Sequence, residues 1–307
     1  MKLKRFNFID FEPVNILTKR VWLVILMAPL IFMVYNVMIG LCTVLFSVIY
    51  AMCSPDAPKA FFNGDAVRLF SLFTTSMGIL VALAYVRFAE KRKLTTIGLT
   101  KQNILPQFGV GALLGIAMIS IPIAILLLFN GGITINPAIN NNLLILYFLG
   151  FIIQGAAEEF LIRGYFFTSL YKSSNIFWAV TISSLFFALL HLLGPVMGVL
   201  PFINIFLFGV FACFIFLRTK NIWAIAALHA MWNFFQGNLY GFQVSGQIYR
   251  EYMFYIKSSL PKILTGGDFG IEGGLLATAV IIIATVITIF CGKNKLIVND
   301  KKTELDK

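Results

Sequence analysis

The chain has 307 residues, of which 59% are hydrophobic and 12% charged, and its formal net charge is +11. A soluble domain carries about 25% charged residues, so this composition excludes a water-exposed surface of ordinary polarity and points to one helical membrane domain. The basic residues stand in short clusters between apolar runs, the pattern of membrane-topology signals, which argues against a nucleic-acid partner.

Residues 1–20 read as a cytoplasmic N-terminal segment, in which Phe6–Phe11 suits the membrane interface. About 20 mostly apolar residues are needed to cross a bilayer. Eight runs qualify: Val21–Tyr50, Val67–Phe88, Phe108–Phe129, Leu143–Leu170, Ile176–Leu193, Leu200–Leu217, Ile222–Tyr240 and Leu275–Cys291. The first is far longer than a signal-peptide core and lacks a small-residue cleavage site, so it is expected to stay as a membrane helix. The fold class expected is therefore all-α, a polytopic membrane helical bundle of about eight transmembrane helices. It forms a single transmembrane domain over 21–292, followed by a basic cytoplasmic tail at 293–307.

Lysine and arginine set the orientation. The two termini and alternate connections hold 18 of them, and the opposite connections hold five: Lys59, Arg68, Arg250, Lys257 and Lys262. The positive-inside rule then puts both termini in the cytoplasm and the long 241–274 loop outside. That loop carries Tyr249, Tyr252, Phe254 and Tyr255 beside Arg250 and Lys257, which suits an interfacial segment without chemistry of its own. Cys42, Cys53, Cys213 and Cys291 form no ligand spacing and read as small hydrophobes.

Ionisable groups within spans are expensive, yet this chain gathers them in three late spans. The fourth holds Glu158, Glu159 and Arg163 in GAAEEFLIRGYFF, the fifth Phe187 and His191 in SSLFFALLH, and the seventh His229 and Asn233 in ALHAMWN. The two histidines are the only ones in the chain. Glu159 and Arg163 stand one helical turn apart and can pair. Glu158, about 100° around the helix, is then the carboxylate free to point elsewhere. At 1.5 Å per residue Glu158, His191, His229 and Asn233 fall at similar depths, so one polar cavity can hold all four. Polar glue between helices needs no such set. A proton- or ion-coupled transporter uses similar residues, but the paired halves with broken spans that mark many transporters are absent from the sequence.

Glu158-Glu159-x-x-x-Arg163, Phe187-x-x-x-His191 and His229-x-x-x-Asn233, in that order on successive late spans, resemble the CAAX protease and bacteriocin-processing family, the type II prenyl-protein peptidases and their bacterial relatives. The resemblance covers about residues 90–240. It implies an eight-helix intramembrane endopeptidase, open to the cytoplasm and the lipid, acting on a membrane-associated and in some members lipidated protein or peptide. In bacterial relatives the roles extend to peptide maturation, bacteriocin self-immunity and partnership with signalling proteins, so a non-catalytic membrane adaptor is the alternative reading.

Within that resemblance, Glu158 is expected to act as general base with His191 holding the water, while His229 and Asn233 stabilise the oxyanion. Glu159 and Arg163 would support the base, or Arg163 would engage a substrate carboxylate. No metal or other cofactor is required by this scheme. In a Zn²⁺-dependent variant the ligands would be Glu158, His191 and His229, although the HExxH spacing is absent.

Overall fold

The computed structural model describes residues 19–53, 65–129 and 131–290. Phe6–Phe11, Cys291 and the tail at 293–307 lie outside the described residues. Helices dominate, because a backbone in hydrocarbon must satisfy its N–H and C=O groups within its own segment. In chain order they are α1 (Val21–Cys53), α2 (Asp65–Thr74), α3 (Ser76–Ala84), α4 (Ile104–Leu128), α5 (Asn141–Glu159), α6 (Thr168–Ser173), α7 (Ile176–His191), α8 (Val199–Thr219), α9 (Ile222–Phe234), α10 (Lys262–Thr265) and α11 (Leu275–Phe290). The α2–α3 run ends in a π-helical turn at Tyr85–Ala89. A second π-helical stretch, Phe160–Phe167, joins α5 to α6, and a third, Phe235–Leu239, follows α9.

Among the described residues, five continuous helical stretches are long and apolar enough to cross a membrane: Val21–Cys53, Ala66–Ala89, Ile104–Leu128, Asn141–Ser173 and Val199–Thr219. α7 and α11 are shorter apolar helices, and α9 has 13 residues before its π-helical turn. The outer faces of the long helices expose leucine, valine, isoleucine and methionine, for example Leu41, Val44, Leu45 and Met52 on α1, the surface that lipid rather than water covers. Cys42, Cys53 and Cys213 are free thiols.

Among the described residues the helices are accompanied by one two-stranded sheet. β1 (Gly132–Ile135) and β2 (Phe254–Lys257) pair antiparallel, with Ile133 opposite Ile256 and Ile135 opposite Phe254. The 254–257 stretch finds its backbone hydrogen-bond partners in the strand that follows α4.

At the centre is α9, in which every residue from Ile222 to Phe234 is buried except the partly buried Trp223. Small residues let its neighbours approach. A Cβ on Gly111 or Gly115 of α4 would stand 1.9 Å from Ala224 O or 2.2 Å from Leu228 O, and one on Gly155 of α5 would meet Ala230 N at 2.7 Å. This is the small-xxx-small packing that membrane helices use in place of a hydrophobic driving force. The three helices that carry the candidate site residues start on asparagine caps: Asn140 accepts from Asn142 N and Leu143 N, Asn175 from Trp178 N, and Asn221 from Trp223 N. Each such cap contributes about 1 kcal/mol and fixes where its helix begins, hence the height of every side chain along it.

Candidate active site

The polar residues of α5, α7 and α9 meet around a cavity of about 310 Å³. Glu158, His191, His229 and Asn233 all line it, with Phe187 and Phe208 as part of its aromatic wall. Glu159 and Arg163 do not face the cavity; both are fully buried behind it.

α5 separates the two glutamates by direction. Glu159 points into the protein, where its Oε1 accepts from Arg163 Nη1 at 3.2 Å and from His229 Nδ1 at 2.8 Å. Arg163 also reaches Gly209 O at 3.5 Å and lies over the Phe187 ring, 4.6 Å from its centroid, a cation–π contact in a desolvated setting. Arg163 is completely buried and does not line the cavity. The π-helical stretch that begins at Phe160 widens the turn between the two residues, and such bulges recur at functional sites.

Glu158 turns the other way. Its side chain keeps 25% of its surface exposed, and its Oε1 accepts from Gln154 Nε2 at 2.6 Å. Its Oε2 has no hydrogen-bond partner and stands 3.7 Å from His229 Nε2. A carboxylate and a carbonyl can only accept, so both imidazole tautomers follow. His229 donates its Nδ1 proton to Glu159, and His191 donates its Nδ1 proton to Phe187 O at 2.9 Å. In their neutral forms both rings therefore keep Nε2 as an acceptor. His229 is thus the imidazole whose Nε2 stands 3.7 Å from Glu158, and His191 lines the same cavity.

Phe187 packs edge-on against both histidines, with centroids 4.7 Å from His191 and 6.1 Å from His229. Asn233 donates to Gln154 Oε1 at 3.0 Å, so Gln154 ties Asn233 to Glu158. Sequence reasoning passed over Gln154, although a lone amide one turn before Glu158 in an apolar span was a usable signal. It also passed over Glu272, which enters the cavity wall from the turn before α11 and had no helical periodicity to reveal it.

The 241–274 loop is part of the site, which corrects the expectation of an interfacial segment without a chemical role. Val244, Ser245, Gln247, Tyr249 and Glu272 all line the cavity. Ser245 and Gly246 both take positive φ in the tight turn bridged by Val244 and Gln247. Burial pushes the Glu272 carboxyl above the usual carboxylate range, opposed by its Ser245 hydrogen bonds, the nearby His191 and the Trp232 indole. Among the described residues no three His, Cys, Asp or Glu side chains gather at a spacing that holds a metal ion. Glu158, His191 and His229 share the cavity without forming such a cluster.

No curated protein and no solved structure gives a significant match to the chain. A family model does match. Residues 140–235 fit the type II CAAX prenyl endopeptidase, Rce1-like family. The matched segment opens on the Asn140 cap and ends two residues after Asn233, so it contains Glu158, Glu159, Arg163, Phe187, His191, His229 and Asn233. With the apolar spanning helices around it, this match points to a multi-pass membrane protein of the CAAX protease type. Over residues 140–235, the chain is thus similar to the Rce1-like type II CAAX prenyl endopeptidase family.

Proposed function

We propose that this chain is an intramembrane endopeptidase of the cell membrane that hydrolyses a peptide bond of a membrane-associated protein or peptide, using water activated by Glu158. The observation that carries this reading is the arrangement of two facing acceptors. Glu158 Oε2 is buried without a partner, and His229 Nε2 lies 3.7 Å away with its other nitrogen held by Glu159. Across more than 3.5 Å a bridging water is the natural partner, and a water donates one proton to each of two acceptors.

In this mechanism Glu158 takes a proton from the water as oxygen bonds to the scissile carbonyl carbon. It then delivers that proton to the amine nitrogen as the C–N bond breaks. Glu159 orients His229 and holds it in the tautomer that leaves Nε2 to accept, the logic by which a buried carboxylate supports a catalytic histidine. Asn233 is the donor available to the oxyanion. The chain crosses the membrane eight times with both termini cytoplasmic, a reading supported by the distribution of lysine and arginine and by the apolar α7, α9 and α11. Substrates fall within CAAX-type processing or peptide maturation, including lipidated C-terminal segments.

The test is cleavage of a panel of internally quenched membrane peptides, prenylated and unmodified, by the purified protein beside Glu158→Gln. Wild type is expected to cleave at least one, and the variant to retain about 1% of the rate or less at an unchanged thermal midpoint. A Glu158→Gln variant as active as wild type would sink the mechanism.

A further inference from the structure

Glu272 is a buried carboxylate outside the family-matched segment, and the scheme above gives it no task. Its Oε2 accepts from Trp232 Nε1 at 3.2 Å, and its Oε1 accepts from Ser245 N at 2.5 Å and Ser245 Oγ at 3.0 Å. Its backbone is held independently. Asn204 Nδ2 on α8 donates to Glu272 O at 2.8 Å and Gly274 O at 3.0 Å, while Thr278 Oγ1 on α11 donates to Asn204 Oδ1. The turn needs glycine at Gly270, where φ is +107° and a Cβ would stand 1.9 Å from Gln243 O. A carboxylate is thus delivered to the wall by a rigid frame.

Trp232 lies on α9 between His229 and Asn233 and is 2% exposed. Its ring packs edge-on against Phe208 with centroids 5.6 Å apart, and Phe208 packs edge-on against His229 at 5.3 Å. The relay Glu272–Trp232–Phe208–His229 is continuous, and every member is buried. Aromatic rings in edge-to-face contact have a preferred geometry, so an indole fixed by its N–H limits where the next ring can turn.

We infer that Glu272 is a positioning residue that acts through Trp232 and Phe208 to set the His229 ring against Glu158. Its consequence for cleavage rests on the endopeptidase reading; the positioning itself does not. The Glu159 hydrogen bond fixes one edge of the imidazole, and the Phe208 face fixes the plane about that bond. Both constraints are needed to aim Nε2 at a point between the ring and Glu158.

The experiment uses the full chain in nanodiscs, labelled with ¹⁵N-histidine and ¹⁵N-tryptophan. With two histidines in the chain, the ring signals are assigned by a His191→Gln sample. Glu272→Gln should displace both the Trp232 indole signal and the His229 ring signal by more than a linewidth. Trp232→Phe, which keeps a packed ring but loses the donor, should displace His229 similarly. Combining the two should move it no further, the non-additivity expected of one chain of contacts. If Glu272 only anchors the loop, the indole moves in Glu272→Gln and His229 stays, and an unmoved His229 signal in either variant overturns the proposal; Trp232→Phe supplies the reading if Glu272→Gln does not fold. With a cleaved peptide in hand, Glu272→Gln should lower kcat about tenfold and leave KM within about twofold. Failure to cleave any peptide leaves the ring signals readable, so the two ideas fail separately.

Discussion

Through a single oxygen, Oε1, Glu159 accepts the Nδ1 proton of His229 at 2.8 Å and the guanidinium of Arg163 at 3.2 Å. One buried carboxylate therefore serves two ends. It neutralises an arginine that the fold has sealed from water, and it sets the tautomer of an imidazole that faces the cavity. The i, i+4 spacing made the first relationship legible in the sequence; the second joins residues 70 positions apart.

The two tasks of Glu159 can be separated. Removing one partner of a buried ion pair costs roughly 3–5 kcal/mol, whereas replacing both by apolar residues is often neutral. Glu159→Leu alone should lower stability by about that amount, and Glu159→Leu with Arg163→Met should regain most of it. Cleavage should not return in the double variant, because His229 Nδ1 has lost its acceptor. Thermal unfolding in detergent and peptide cleavage read the two effects; recovery of both would reduce Glu159 to a register pin.

Gly115 tests how closely α4 must approach α9. Its Cβ would fall 2.2 Å from Leu228 O, one residue before His229. Gly115→Ala must push the helices apart, at about 1–3 kcal/mol for overpacking, and should reduce cleavage as His229 shifts. Gly109, six residues earlier on the same helix, has nothing within 4 Å of its Cβ. Gly109→Ala should therefore be neutral or stabilising by up to about 1 kcal/mol. Unfolding midpoints of the two variants, compared side by side, check the contrast; equal losses would remove close packing as the cause.

Glu272 also gives a pH signature with a definite sign. Burial raises its folded-state pKa above the ordinary value of 4.5, so the native protein binds the proton more tightly than the unfolded chain. Its contribution is fully present below about pH 4.5 and is lost as pH rises through the raised folded value, since stability falls with pH wherever the native state holds more protons. Wild type should lose stability across that window relative to Glu272→Gln, whose amide does not titrate. Unfolding midpoints of both proteins from pH 4.5 to 8 measure the difference, and parallel pH curves would contradict the assignment.

The sequence by itself determined the class of molecule and singled out the polar side chains that meet around the cavity. Composition and run length specify apolar helices, because hydrocarbon leaves the backbone no partner but itself. A charged or imidazole side chain in such a helix is costly enough to stand out without any structure. Periodicity likewise gave the Glu159–Arg163 pair, since i and i+4 share a face in any helix.

Tertiary structure alone decided which partner each of those groups meets. That His229 stands 3.7 Å from Glu158 depends on how closely α5 approaches α9, which Gly155 permits through a contact distant in sequence. The sealing of Arg163, the amide bridge from Gln154 to Asn233 and the arrival of Glu272 and Ser245 from the 241–274 loop are of the same kind. Local pattern fixes a side chain's direction around its own helix axis. The distance between two side chains on different helices is set by packing, and packing is a property of the whole bundle.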